Sequence, residues 1–78
     1  MKLNEWAEAN GLSDRQVADL MTGAIQRDDP EAKPVSVPVV QRYRTTDMIP
    51  SKIRMQAIYK ITDGWVTAND FFDLETVG

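Results

Sequence analysis

Cysteine and histidine are both absent from this 78-residue chain, and the two absences close off several chemistries at once. No disulfide framework can staple the fold. No zinc finger can form, and no nucleophile can be activated by an imidazole. Long apolar runs are missing too, since nothing approaches the roughly 20 apolar residues of a transmembrane helix. The opening Met1-Lys2-Leu3-Asn4-Glu5-Trp6 lacks the apolar core of a signal peptide, so a cytoplasmic location and no membrane partner are expected. No glycine-rich phosphate loop is found. Asp28-Asp29 sits in a proline-bearing stretch, where paired carboxylates serve solubility more often than acid–base chemistry. The chain therefore reads as a non-enzyme with no cofactor, no metal and no small-molecule substrate. At this length it forms one domain, spanning residues 1–78, stabilised by packed apolar helix faces with or without dimerisation.

The net charge of −3 hides a strong segregation. Residues 1–32 carry three basic and seven acidic side chains. Residues 33–60 carry Lys33, Arg42, Arg44, Lys52, Arg54 and Lys60 against Asp47 alone, and residues 61–78 only Asp63, Asp70, Asp73 and Glu75. Screening confines a charge's field to about 8–10 Å, so a phosphate would feel the local +5 of the middle block rather than the total. Basic helix faces that are merely solvated remain the competing explanation.

Local signals predict five short helices. Leu3, Trp6 and Ala7 follow helical spacing, and Asn10-Gly11 supplies a left-handed stop, giving a first helix over about 3–9. Ser13 and Gln16 form a capping box, with Leu12 and Val17 at the staple positions around it. Val17, Ala18, Leu20 and Met21 then make an apolar side, and Ala18 is small enough for a close helix crossing. From about residue 26 to 34 the pattern dissolves into five charges and two prolines, predicting an exposed, mobile loop whose sole apolar anchor is Ala32.

A third helix opens at Ser36 as N-cap, with Pro38 in its first turn, where a missing N–H costs nothing. Val40 and Tyr43 share one face; Pro38, Gln41, Arg42 and Thr45 share the opposite one. An edge strand over 35–40 competes locally, but Pro38 and the capping serine argue against it. Ser51 caps a fourth helix carrying Ile53, Ala57, Ile58 and Ile61, which ends at Asp63-Gly64. Thr67 and Asp70 cap a fifth of one to two turns before Phe71-Phe72. Trp65, Phe71, Phe72 and Leu74 either close the core or form a dimer patch, with the core favoured for Phe71.

The run Leu12-Ser13-Asp14-Arg15-Gln16-Val17-Ala18-Asp19-Leu20-Met21, then Val35, Ser36, Val40, Arg42-Tyr43, Ile49-Pro50, Ala57-Ile58 and Thr62 to Gly64, and finally Val66-Thr67-Ala68-Asn69-Asp70-Phe71, resembles the phage Cro/C-type repressors of the lambda-repressor-like helix-turn-helix family. That resemblance implies an all-α compact bundle of about five short helices containing a helix-turn-helix, and a sequence-specific transcriptional regulator that binds double-stranded DNA as a homodimer. The family joins its two motif helices by a tight turn of about 3–4 residues; here the loop at about 26–34 intervenes. It is either a passive insertion or an added contact element in which Arg27 and Lys33 reach phosphates.

The resemblance further implies that the helix over about 36–45 enters the major groove, with Ser36 at its start. Gln41 would pair with adenine and Arg42 with guanine or a phosphate, while Val37 and Pro38 would meet thymine methyl groups and Thr45 a base edge or phosphate. Arg15 and Gln16 would clamp phosphates at the start of the second helix, and Arg44, Lys52 and Arg54 would supply further charge. A protein-interaction module on the same fold, such as an antirepressor or a polymerase adaptor, is the alternative.

Overall fold

The structure, a computed structural model, describes residues 1–71. It contains four α-helices, α1 (Leu3–Ala9), α2 (Asp14–Asp28), α3 (Val37–Arg44) and α4 (Lys52–Ile61), closed by a single 3-10 turn over Ala68–Phe71. No strand occurs among the described residues, so the edge strand over 35–40 is not formed. Phe72 and Leu74 of the apolar tail lie outside the described residues.

The helices begin where the capping residues place them. The Lys2 amide donates to Glu5 Oε1 at 3.1 Å and starts α1. At α2 the capping box is reciprocal, Ser13 N to Gln16 Oε1 at 2.8 Å and Gln16 N to Ser13 Oγ at 3.2 Å, satisfying two otherwise orphaned donors. Ser51 Oγ accepts from Arg54 N at the start of α4. Thr67 N donates to Asp70 Oδ2 at 2.8 Å and sets the closing turn, which is 3-10 rather than α.

Three of the helices end in the same way. After α1, α3 and α4 the chain turns left-handed, and the amide that follows the first left-handed residue reaches back five residues: Leu12 N to Ala7 O, Asp47 N to Arg42 O, Gly64 N to Tyr59 O. This is the Schellman arrangement, which satisfies the last carbonyls. Gly11 fills the left-handed position after α1 at φ 65°, as its sequence position suggests, but Thr46 and Asp63 fill it after α3 and α4 at φ 63° and 54°.

The second helix is longer than the local pattern indicates. It runs to Asp28, so the connection to α3 covers residues 29–36 rather than beginning near 26. Its apolar stripe continues past Met21 to Ile25, a further i+4 step, and exposed Arg27 and Asp28 are compatible with that face. Pro30 ends it, because the residue before a proline is driven out of the α region, and Asp29 sits at φ −138°, ψ 90°.

Nor does the connection hang free. Ala32 packs against the core and Val35 is buried, the second anchor that composition did not reveal. Gln26 Nε2 donates to Ala32 O at 3.0 Å, and Val35 N donates to Thr22 Oγ1 at 3.0 Å. The Thr22 hydroxyl donates in turn to Ala18 O one turn back. Thr62 repeats the device at the end of α4: its buried hydroxyl donates to Ile58 O and accepts from Val66 N.

One continuous core joins all these elements. α2 packs against both α3 and α4, and α1 against α3. Leu3, Trp6, Val17, Met21, Val40, Tyr43, Ile58 and Phe71 meet at its centre, and Ala18 is buried as a close crossing requires. Tyr43 and Phe71 stack edge to face with ring centroids 6.5 Å apart, so Phe71 closes the core. Two apolar residues assigned to helix faces instead point outward. Leu20 is 44% exposed and Ile53 63%; they lie at the margin of their stripes, where the neighbouring described elements do not reach.

Replacing Thr22 by valine should leave the Val35 amide unpaired, costing about 1–3 kcal/mol, while Thr22→Ser retains most of the stability. Thermal melts check this, and equal melting of Thr22→Val and the parent would show that the connection is not held there. A second expectation concerns acid. Burial pushes the Asp70 carboxyl up, but hydrogen bonds from Thr67 and from the Met1 ammonium, whose nitrogen lies 3.2 Å away, with that ammonium's charge, outweigh it and hold its pKa below the usual carboxylate value. A lowered folded-state pKa contributes stability that is full above about pH 4 and lost as pH falls through the lowered value. The melting-temperature gap between the parent and Asp70→Asn should therefore be widest near neutrality and close in strong acid.

Candidate nucleic-acid interface

Helix α3 has two unlike sides. Val40 and Tyr43 are 0% and 2% exposed, locked into the core. Pro38, Gln41, Arg42 and Thr45 are all exposed on the other side, where helical rotation places them. Val37 and Val39 lie between, half-buried, with Val39 packed on the core. Because the inner pair is immobilised, the outer four side chains project from a fixed backbone.

The two ends of α3 differ from simple expectation. Ser36 has the extended backbone of an N-cap, yet its hydroxyl makes no cap hydrogen bond. A capping oxygen accepts from the amide two or three positions on, and Pro38 removes the nearer donor. Ser36 is exposed, leaving that hydroxyl directed to solvent chemistry rather than to the helix. At the far end Thr45 Oγ1 lies 3.2 Å from Gln41 O and 3.1 Å from Asp47 Oδ2, so its hydroxyl is drawn to its own helix terminus.

The basic block divides into engaged and unengaged cations. Arg44 is half-buried: its Nη1 donates to Asp14 Oδ1 at 2.6 Å and its Nε to Asn4 Oδ1 at 2.9 Å. Arg54 Nη1 donates to the Tyr43 hydroxyl at 3.0 Å, tying α4 to the inner side of α3. Lys60 pairs with Asp28 at 3.2 Å on the surface. Arg42, Lys52, Lys33 and Arg15 are exposed and form no ion pair with the described residues. Gln16 is exposed too, but its carbonyl oxygen is committed to the α2 cap, which leaves its amide donors for other contacts. The structure thus brings Pro38, Gln41, Arg42 and Thr45 onto the exposed side of α3, leaves Ser36 exposed at its N-cap, and sets Arg15 and Gln16 at the start of α2, which packs against it.

Two features escaped the sequence. Asn4 and Asp14 lie 40 and 30 residues from Arg44, too far for any local pattern to pair them. Ile49, Ile53 and Tyr59 are 50%, 63% and 55% exposed, and a groove bounded by Ile49, Pro50, Met55 and Tyr59 crosses that side of α4. No group of acidic side chains able to hold a metal ion occurs among the described residues. No described helix is long and apolar enough to cross a membrane. Comparison with family models, curated proteins and solved structures finds no match to this chain.

The left-handed threonine behind α3 generates a prediction. A β-branched residue there costs on the order of 1–3 kcal/mol, partly offset in a glycine variant by the greater freedom of the unfolded chain. Thr46→Gly should raise stability by about 1 kcal/mol in denaturant melts. A destabilised Thr46→Gly protein would show that contacts of the threonine side chain outweigh its backbone strain.

Proposed function

We propose that the chain is a sequence-specific regulator that binds double-stranded DNA as a homodimer, with α2 and α3 forming a spread helix-turn-helix of the Cro/repressor kind. One observation carries the reading: a helix anchored by Val40 and Tyr43 presents Gln41 and Arg42, with Pro38 and Thr45, on its exposed side. An α-helix fits the major groove, where Gln41 has the geometry for adenine and Arg42 for guanine or an adjoining phosphate. Ser36, Val37 and Pro38 at the leading end supply a hydroxyl and apolar contact for thymine methyl groups. Arg15 and Gln16 hold the backbone from the start of α2, and Lys52 from the start of α4. A single copy of this size reads too few base pairs to select a genomic site, which a two-fold pair remedies.

The second reading, a protein-interaction module on the same frame, draws support from exposed Ile49, Ile53 and Tyr59. It also draws support from the eight-residue connection that separates α2 from α3, where the family uses a tight turn.

Binding to random and selected duplexes across a salt series separates the two, because phosphate contacts weaken steeply as salt rises. Gln41→Ala should relax preference at particular base pairs by about 1–3 kcal/mol. Lys52→Ala should weaken all sequences alike and lower the salt slope by about one. Parent protein that binds no duplex at low salt favours the interaction module.

A further inference from the structure

Arg44 sits in the basic block, yet its guanidinium is turned inward. It spans three helices, leaving the end of α3 to meet Asp14 at the start of α2 and Asn4 on α1. The Arg44 and Asp14 side chains are 16% and 25% exposed, so the pair is partly withdrawn from water and feels less screening than a surface pair. Asp14 is also the immediate neighbour of Arg15 and Gln16, which the DNA reading places against phosphates. An uncompensated carboxylate there would repel the ligand. To reach a phosphate itself, Arg44 would have to leave two hydrogen bonds and release that carboxylate.

Resting on the DNA-binding reading, we infer that Arg44 is a positioning residue that acts through Asp14: it cancels the one carboxylate at the head of α2 without touching DNA. Affinity then depends on the charge left at the pair, not on the presence of Arg44. Arg44→Met leaves a bare anion, Asp14→Asn leaves a cation, and the double variant leaves no charge, like the intact pair.

The test measures affinity for one selected duplex, with thermal melts run in parallel so that every protein is compared well below its melting temperature. Arg44→Met should bind about fivefold or more weakly, as expected of one unit charge several ångströms from phosphate. Asp14→Asn should bind at least as tightly as the parent even though it melts lower, a separation that a purely structural role would not produce. Asp14→Asn/Arg44→Met should recover to within about twofold of the parent and keep its salt slope. If instead the double variant stays as weak as Arg44→Met and its slope drops by about one, Arg44 contacts phosphate and the inference is overturned. Loss of affinity in Asp14→Asn that tracks its loss of stability overturns it as well. Where Arg44→Met does not fold, Arg44→Gln, which retains a donor for Asp14, takes its place in both arms. Absence of DNA binding by the parent overturns the functional reading itself, an outcome distinct from either of the others.

Discussion

The burial of Val40 and Tyr43 is the constraint on which the rest of the molecule depends. These two side chains, three residues apart on an eight-residue helix, are almost wholly enclosed. α3 is valine-rich and too short to be stable alone, so its helical state is conferred by packing rather than by propensity. Tyr43 gathers the elements that hold it: Phe71 meets its ring edge to face, and Arg54 donates to its hydroxyl. With the inner face held in this way, the orientation of Gln41 and Arg42 is a consequence of the core.

The separation between α2 and α3 looks damaging in the sequence and is managed by specific hydrogen bonds. Extra residues in a loop raise its closure cost only slowly, so the greater problem is an amide such as that of Val35, drawn inward without a strand or helix to pair it. Thr22 solves it with one hydroxyl, which accepts from the Val35 amide and donates to Ala18 O one turn back, and Thr62 does the same for Val66. The lengthened α2, the buried Val35 and this pin give the connection fixed ends. The two helices therefore keep a defined packing despite their distance in the chain.

Charge in this protein acts locally. The chain is acidic overall, yet three of the six cations between residues 33 and 60 are drawn into contacts with α1, α2 and α3, and the remaining three stay exposed. A count of basic residues overstates what is presented to a partner. Their division between paired and unpaired positions among the described residues follows from how the helices pack, since an arginine stem that crosses an element boundary can find an acceptor there.

The chain's own sequence was sufficient for the all-helical class, the helix starts at Ser13 and Ser51, the left-handed stop at Gly11, and the division of α3 into an inner and an outer side. Each of these is set within a few residues, by a capping oxygen, a missing Cβ or a 3.6-residue period. Tertiary structure decided the remainder. Ile25 extends α2 because it packs into the core one turn beyond Met21, Ile53 and Leu20 are left outside because no described element covers them, and Thr46 takes a left-handed conformation that threonine rarely adopts. Arg44 turned inward for the same reason: its partners lie on helices brought alongside only by folding, 30 and 40 residues away. Local rules act over one or two turns of chain, whereas these outcomes depend on which surfaces the helices bring within reach of one another.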